Sequence, residues 1–244
     1  KMKENQIIGE LVARDYRTAS VFKKYSIDFC CQGNRTIEEA CEKKNIDTKK
    51  VLEDLVAMME AKSESTTDYQ SWPLDLLADY IEKKHHRYVQ EKTLEIQPYL
   101  DKICKVHGER HPELLEIKEE FNASAGELAA HMKKEEMILF PFIRKMTKAK
   151  LENTKVDAAH FGTVKNPIQM MMNEHTVEGN RFRKIEELSN NYTPPLDACN
   201  TYRVSFALLK EFEQDLHLHI HLENNILFPR AIEIEKELIQ NLNA

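Results

Sequence analysis

Residues 131–141 read HMKKEEMILFP, and residues 219–229 read HIHLENNILFP. In both segments a glutamate follows a histidine by four residues, and the same Ile-Leu-Phe-Pro follows that glutamate at the same offset. Residues four apart lie on the same face of an α-helix. The repeat therefore predicts two matching helices, each presenting one imidazole and one carboxylate side by side.

The histidines and glutamates of this repeat lie on helix faces that the sequence predicts to be buried. Apolar residues alternate three and four apart around His131 and Glu135, and again around His219 and Glu223. A third stripe of the same kind contains His175. Such spacing is typical of the core-facing side of a helix. Because an ionised carboxylate in a helical core is costly unless it is paired or bound to metal, we predict a metal site there.

The sequence predicts an all-α chain whose larger part is a four-helix bundle. Strong helix formers dominate, and prolines or polar loops separate four long helical segments. Short connections between long helices favour up-down-up-down topology. The four helices are expected over about residues 73–106, 112–146, 167–190 and 196–240.

A small helical domain is expected to precede this bundle. We predict that it occupies residues 1–62, and that the polar segment 63–72 is a linker to the bundle at 73–244. Its helical stretches are expected at residues 5–25 and 48–61. Between them Thr36 and Glu39 have the spacing of a capping box, which predicts a helix start.

Composition excludes several classes of function. The net charge of −6 and the pI near 6.0 argue against a nucleic-acid-binding surface. The sequence has no apolar run long enough for a membrane span, and its first residues lack the apolar core of a signal peptide. Five scattered cysteines do not form a disulfide framework. We therefore expect a cytoplasmic protein with reduced thiols and no membrane or nucleic-acid partner.

Spacing along the chain extends the repeat to two further histidines. His131 and His219 are 88 residues apart, and His86 and His175 are 89 apart. Each half of the bundle thus offers one helix with a single histidine and one helix with the His-x3-Glu pair. This internal symmetry predicts two equivalent halves of one site.

The first bundle helix carries two adjacent histidines, His85 and His86. Leu77 and Ile81 align with His85. Val89, Ile96 and Leu100 instead share a face with His86. The repeat offset favours His86, which we choose as the candidate ligand, with His85 as the alternative.

Four histidines and two glutamates form a mixed nitrogen and oxygen donor set. Such a set suits iron or manganese and matches structural zinc poorly, because structural zinc favours thiolates and four-coordination. Two glutamates from opposed helices can each bridge two ions, leaving two histidines for each ion. Ferritin-like di-iron bundles instead use Glu-x-x-His pairs with lone glutamates, and the order here differs.

Several segments together resemble the repair-of-iron-centres (RIC) proteins, a hemerythrin-like family that repairs damaged iron–sulfur centres. Residues 27–33, IDFCCQG, are similar to the family's aspartate–aromatic–Cys–Cys–Gly–Gly motif, with Gln32 at the first glycine. The further marks are residues 131–141, 173–175, 194–195 and 219–229. The resemblance covers nearly the whole chain and implies a hemerythrin-like bundle.

The resemblance also implies a cofactor and a function. It implies two non-haem iron ions with oxo and carboxylate bridges, and places the carboxylate of Glu174 near the metal pocket. It implies that the protein restores clusters after nitrosative and oxidative stress as an iron donor, and that it also processes nitric oxide. The implied partners are damaged iron–sulfur proteins and small molecules such as nitric oxide or dioxygen. The implied iron ligands are His86, His131, Glu135, His175, His219 and Glu223.

We predict cluster repair by iron donation, because simple oxygen binding has no evident need for the N-terminal Cys-Cys domain. The alternatives are reversible binding or sensing of dioxygen or nitric oxide, and a di-iron nitric oxide reductase. The adjacent Cys30 and Cys31 are either small buried residues in a turn or a redox or iron-handover pair.

The remaining histidines and cysteines are interpreted as parts of the surface or the scaffold. His107, His111 and His160 are expected to be solvated loop residues, and His217 and His221 to lie on the surface. Cys104 and Cys199 are expected to be structural.

Overall fold

The computed structural model describes residues 2–61 and 67–240. Within these ranges the regular elements are helices, and extended backbone pairs in two isolated bridges, Ile7 with Thr36 and Ala159 with Gly162. The all-α prediction is confirmed. Part of the expected linker, residues 63–66, lies outside the described residues. No helix in the described ranges combines the length and apolarity that crossing a membrane requires.

Eleven α-helices are described in residues 2–61 and 67–240, together with one 3₁₀ turn at Tyr69–Ser71 and three π-helical segments. The α-helices are α1 (Ile8–Arg14), α2 (Thr18–Lys24), α3 (Ile37–Lys44), α4 (Thr48–Glu60), α5 (Leu74–Tyr80), α6 (Arg87–His107), α7 (Glu113–Lys134), α8 (Phe140–Glu152), α9 (Lys165–Leu188), α10 (Asn200–Leu222) and α11 (Phe228–Gln240). The four long bundle helices thus begin and end close to the predicted residues. The main difference is α8, which continues into the expected loop as far as Glu152.

The chain divides into two compact units. The first contains residues 1–77, 146–157 and 220–244, and the second contains residues 78–145 and 158–219. The domain boundaries expected from the sequence stay a prediction.

In the first unit, two short helices replace the single helical stretch expected at residues 5–25. Asp15 ends α1 with an extended backbone conformation, φ −146° and ψ 97°. Its carboxylate accepts the backbone N–H of Arg17 at 3.1 Å and pairs with the Arg17 guanidinium at 2.6 Å. An aspartate that hydrogen-bonds nearby backbone groups competes with the helix. This local competition ends α1, and α2 begins at Thr18.

The first unit also contains the predicted capping box. Thr36 Oγ1 accepts the backbone N–H of Glu39 at 3.1 Å, and Glu39 Oε2 accepts the N–H of Thr36 at 2.9 Å. At its other end α3 stops at Asn45, which adopts a left-handed conformation. Both ends of α3 therefore follow local sequence rules.

The second unit is a four-helix bundle built from α6, α7, α9 and α10 up to His219. Residues 108–112 form a short connection between α6 and α7, which therefore run in opposite directions. The core is aromatic: the ring of Phe212 lies 5.3 Å from that of Phe121 and 5.5 Å from that of Phe182. These contacts pack α7, α9 and α10 against one another in the core of the bundle.

Three π-helical segments interrupt the α-helices at Ile81–His86, Glu135–Leu139 and Glu223–Leu227. Two of them begin at the glutamate of the His-x3-Glu repeat, and the third ends at His86. A π turn holds an extra residue, and such turns occur frequently at functional sites. In this chain each π-helical segment contains a candidate ligand.

Candidate metal centre

Two buried imidazoles face each other in the second unit. His131 Nε2 and His175 Nε2 lie 3.0 Å apart, although 44 residues separate the two histidines in the chain. Glu135 Oε2 lies 3.4 Å from the same nitrogen of His131. The donor atoms of the three residues all fall within 4.8 Å of one another. Three metal-binding atoms therefore converge on one point in the interior of the bundle.

A second group of donors shares the same carboxylate. His86 Nε2 lies 3.4 Å from Glu135 Oε2, and the ring of His219 lies 5.0 Å from the ring of His86. The donor atoms of His86, Glu135 and His219 fall within 4.8 Å of one another. Glu135 is 0% exposed. This buried carboxylate is therefore common to both groups of donor atoms.

The structure places His86, rather than His85, beside Glu135. His85 Nδ1 instead faces Asp215 Oδ2 at 3.0 Å, and its ring stacks on that of His219 with centroids 5.6 Å apart. His85 is buried but belongs to neither donor group. Its contacts are those of a residue that supports His219.

Glu223 is buried in the first unit and follows His219 by four residues in the sequence. It is the first residue of a π-helical segment, as Glu135 is of its own segment. The two halves of the repeat therefore agree in backbone conformation as well as in sequence.

Carboxylates behind the histidines fix the orientation of the imidazoles. Glu174 Oε2 lies 2.7 Å from His131 Nδ1, and Glu136 Oε1 lies 2.9 Å from His86 Nδ1. A carboxylate at one ring nitrogen fixes the tautomer and leaves the other nitrogen available to a metal. Glu174 was singled out by the resemblance, whereas Glu136 was not. The only feature of the sequence that pointed to Glu136 was its position beside Glu135 in the repeated segment.

Lys134 forms an ion pair with the other oxygen of Glu174. Burial acts to raise the pKa of Glu174, but the hydrogen bonds with Lys134 and His131 outweigh burial and lower the pKa below its ordinary value. An ionised carboxylate is therefore favoured behind His131.

Glu178 lies on the same face of α9 as His175 and is buried, but it does not belong to either donor group. Ser124 Oγ donates to Glu178 Oε2 at 2.5 Å, and Arg181 Nε approaches the other oxygen at 3.4 Å. Burial raises the pKa of Glu178 above its ordinary value. These contacts indicate that Glu178 has a structural role in the bundle rather than the role of a metal ligand.

A pocket of about 220 Å³ lies against the two facing histidines. Lys134, Glu174 and Glu178 contribute to its wall beside His131 and His175. The pocket is large enough for a small molecule to approach this half of the donor cluster.

In the first unit, the Cys-Cys motif forms a tight turn organised by Asp28. Asp28 Oδ1 accepts the backbone N–H groups of Cys30 at 3.1 Å and Cys31 at 2.9 Å. The two sulfur atoms lie 3.8 Å apart, so they are thiols and not a disulfide. The contact with Cys31 and then burial raise the pKa of the Cys30 thiol well above its ordinary value. Gln32 is not among the residues with positive φ, so the first glycine of the family motif is dispensable here.

The turn packs on residues next to Glu223, which belong to the same unit. Asn224 Nδ2 donates to the carbonyl of Cys30 at 3.1 Å, and Asn225 Nδ2 donates to the carbonyl of Phe29 at 3.0 Å. His221 lies beside Asn225, with 2.9 Å between His221 Nδ1 and Asn225 Nδ2. The backbone of the Cys-Cys turn is therefore held by the helix that carries Glu223.

His221 is buried, and its prediction as a surface residue is wrong. Its ring lies 5.4 Å from that of Tyr16 and 6.2 Å from that of Phe29. Burial lowers its pKa to about 3, so the neutral imidazole is favoured. Tyr16 and Phe29 bury this ring through tertiary contacts, which helical periodicity alone does not predict.

His107 is also buried, and its prediction as a solvated loop residue is wrong. It is the last residue of α6, and its ring lies 5.3 Å from that of Tyr202. His111 bonds Glu113 and Asp197, and His160 is exposed as expected. Helix α6 ends at His107, one residue beyond the predicted end, and the contact with Tyr202 buries the ring there.

The donor set fits a transition metal. Buried imidazole nitrogens and a shared carboxylate are the ligands that iron and manganese accept, and the donors lack the thiolates that structural zinc prefers. The carboxylates behind His86 and His131 supply the support that metal-bound histidines require.

The fold and this site define a hemerythrin-like, cation-binding helical protein. The family model described as the hemerythrin HHE cation binding domain matches residues 77–231, and ScdA_N, a domain of unknown function, matches residues 4–59. More closely, the chain belongs to the family of the iron–sulfur cluster repair protein YtfE, as the resemblance of its motifs predicted.

The similarity to these relatives extends over almost the whole chain. The iron–sulfur cluster repair protein YtfE of Yersinia pestis is 35% identical over 231 residues, which cover 95% of this chain and 98% of that protein. The protein of the same name from Yersinia pseudotuberculosis is 34% identical over the same length. Both domains of the chain are therefore included in the match.

Proposed function

We propose that this protein repairs iron–sulfur clusters damaged by nitrosative or oxidative stress, and that it does so by donating iron from a di-iron centre. The observation that carries the proposal is the buried carboxylate of Glu135, which lies among two groups of histidine nitrogens. The names of its relatives, iron–sulfur cluster repair proteins, support the same function.

The proposed centre divides the ligands between two iron ions. His131 and His175 would hold one ion, His86 and His219 would hold the other, and Glu135 would be a ligand common to the two. Glu223 is proposed as the second bridge, because it is buried and repeats the position of Glu135 relative to the histidine one turn earlier. When bound, the two ions supply Lewis-acid and redox chemistry.

Two carboxylates orient the imidazole rings of two of these ligands. Glu174 and Glu136 accept hydrogen bonds from the Nδ1–H groups of His131 and His86, which leaves the Nε2 lone pairs available to a metal. We propose that the ion at His131 and His175 is the one exchanged, because the pocket of about 220 Å³ lies beside these two residues.

Cys30 and Cys31 are proposed as a transit point for iron or as a redox pair. Asp28 offers a carboxylate oxygen within 4.8 Å of both sulfurs, so the three residues can hold a cation together. The raised pKa of the Cys30 thiol favours its protonated form, which suits transient binding better than permanent binding.

The proposed partners are damaged iron–sulfur proteins, with nitric oxide or dioxygen as small-molecule ligands. We propose the cytoplasm as the compartment, because all five cysteines lie in the described residues as thiols.

A second candidate function is the binding, sensing or reduction of a diatomic molecule at the same centre. The pocket beside His131 and His175 favours it, because it gives a small molecule access to the donor cluster. Exposure of the reduced protein to nitric oxide distinguishes the forms of this function. A reversible adduct indicates a binder, and nitrous oxide formed with turnover indicates a reductase.

Iron transfer tests the repair proposal directly. The iron-loaded protein is mixed with an apo-protein that has lost its cluster, and the acceptor's iron and cluster absorbance are followed with and without sulfide. We expect the acceptor to regain its cluster faster than with the same amount of free ferrous iron. Equal rates for the protein and free iron would contradict donation by this chain.

A further inference from the structure

A thiol and an imidazole form a pair at one end of the bundle, among residues that the proposed repair function does not use. Cys199 Sγ lies 3.2 Å from His107 Nε2. Both residues belong to the second unit and to neither of its donor groups. The pair joins the end of α6 to the start of α10.

Cys199 is positioned as a reactive thiol. It directly precedes α10, and its carbonyl accepts the backbone N–H of Arg203 at 3.1 Å, so it is the N-cap of a 23-residue helix. The positive end of a helix dipole stabilises a thiolate, as a neighbouring imidazole does. All five cysteines lie in the described residues, and Cys199 alone among them is exposed.

His107 is positioned to accept the proton of that thiol. Its side chain is only 4% exposed, and Tyr202 packs edge-on against its ring. Within the described residues, His107 Nδ1 has no hydrogen-bond partner, so the polar contact of the ring is the one that Nε2 makes with Cys199. A buried imidazole directed at an exposed thiol is the arrangement of a nucleophile and its base.

Nearby charges do not oppose a thiolate strongly. Asp197, two residues before Cys199, is the closest carboxylate in sequence, and it pairs with His111 at 2.9 Å and with Arg110 at 3.2 Å. The hydrogen bond with His111 lowers the pKa of Asp197. Its negative charge is therefore offset by two cationic or dipolar partners.

We propose that Cys199 is a site of reversible mixed-disulfide formation with small-molecule disulfides, and that His107 is its base. His107 takes the thiol proton, and the Cys199 sulfur attacks one sulfur of the disulfide. A new S–S bond forms as the original S–S bond breaks. The departing thiolate then takes the proton from His107, so one disulfide is consumed and one small thiol is released.

The test measures the reaction of each cysteine with oxidised glutathione by peptide mass spectrometry, at neutral pH in the full chain. We expect Cys199 to form the mixed disulfide first. We also expect its rate constant in the folded chain to exceed that in the urea-unfolded chain by about 10-fold. If Cys31 or Cys104 reacts as fast, or if unfolding does not slow Cys199, the proposal is overturned.

Two histidine variants test whether His107 itself is the base. His107→Gln keeps a polar side chain but cannot take the proton, and we expect it to slow modification of Cys199 by about 10-fold. His160→Gln is the control, because His160 is an exposed histidine in a different segment of the second unit, and we expect a change of less than about twofold. Equal rates in the wild type and both variants would exclude His107 as the base. Should His107→Gln fail to fold, the folded and unfolded wild-type rates alone decide the proposal.

Discussion

The side chain of Asn224 donates a hydrogen bond to the backbone carbonyl of Cys30, across 194 residues of sequence. Asn225 makes the equivalent bond to Phe29. The Cys-Cys turn is thus tied to residues that directly follow Glu223. Hydrogen bonds within the first unit therefore connect the turn of the proposed iron-handover thiols to the helical segment of one proposed bridging ligand.

Removing one of these side chains is expected to loosen the turn. Asn225→Ala loses the bond to Phe29 and the contact with His221, so we expect the free energy of unfolding to fall by about 1–2 kcal/mol. Amide hydrogen exchange should also accelerate in residues 27–33. Asn122→Ala is the control, because Asn122 is exposed and accepts a hydrogen bond from the half-buried Gln97. Equal exchange in the two variants would contradict the role of Asn225.

Gly9 is expected to be required for the same contact. A Cβ atom at Gly9 would lie 2.4 Å from Asn225 Oδ1 and 3.1 Å from the carbonyl of Gly33. We therefore expect Gly9→Ala to lower the free energy of unfolding by about 1–3 kcal/mol. Gly126→Ala is the matched control, because a Cβ there meets nothing within 4 Å and α-helix favours alanine by about 0.5–1 kcal/mol. Urea unfolding measures both, and a loss of similar size at Gly126 would refute the steric argument.

Glu135 is expected to determine whether both ions bind. Glu135→Ala removes the carboxylate common to the two histidine groups, so we expect iron content to fall from about two per chain to below one. Metal analysis and the visible spectrum of freshly purified protein measure the change. Glu127→Ala, a half-exposed carboxylate on the same helix, should keep the wild-type iron content. Full iron in Glu135→Ala with an intact helical spectrum would refute the bridging role.

Glu174 is expected to tune the half of the site that contains His131. Glu174→Ala removes the acceptor at His131 Nδ1, and loss of such a partner lowers metal affinity by about 10–100-fold. Competition with a chelator should therefore remove iron from this variant at a lower chelator concentration. Glu187→Ala, an exposed residue on the same helix, provides the baseline. An unchanged chelator midpoint would show that Glu174 does not orient His131.

Asp15 is expected to make stability depend on pH. The hydrogen bond with Arg17, which outweighs burial, lowers the pKa of Asp15 below its ordinary value of 3.8. The folded chain therefore holds this proton less tightly than the unfolded chain, and the contribution is complete above that value and lost as pH falls through the lowered pKa. Asp15→Asn should destabilise by about 0.5–1 kcal/mol at neutral pH and by less near pH 3. An unchanged difference between the two pH values would contradict this linkage.

Local patterns predicted much of the fold and the candidate ligands. Hydrophobic periodicity located the four bundle helices, and the capping box at Thr36 and Glu39 formed as expected. The same periodicity put His131, Glu135 and His175 on buried faces, where the structure has them. These features could be predicted because they depend on residues three or four apart.

Other features depend on partners far along the chain, and their positions did not follow from the sequence. The burial of His221 depends on Tyr16 and Phe29, and the burial of His107 depends on Tyr202. The support of His86 by Glu136 depends on a contact between two helices.

The sequence by itself determined the helices, their buried faces and the repeated pairs of histidine and glutamate, because helical spacing sets which side chains share a face. Only the tertiary structure decided that His86 rather than His85 lies beside Glu135, and that Cys199 meets His107. Neighbouring residues on a helix point in directions about 100° apart, so the packing of other helices selects which of them turns inward.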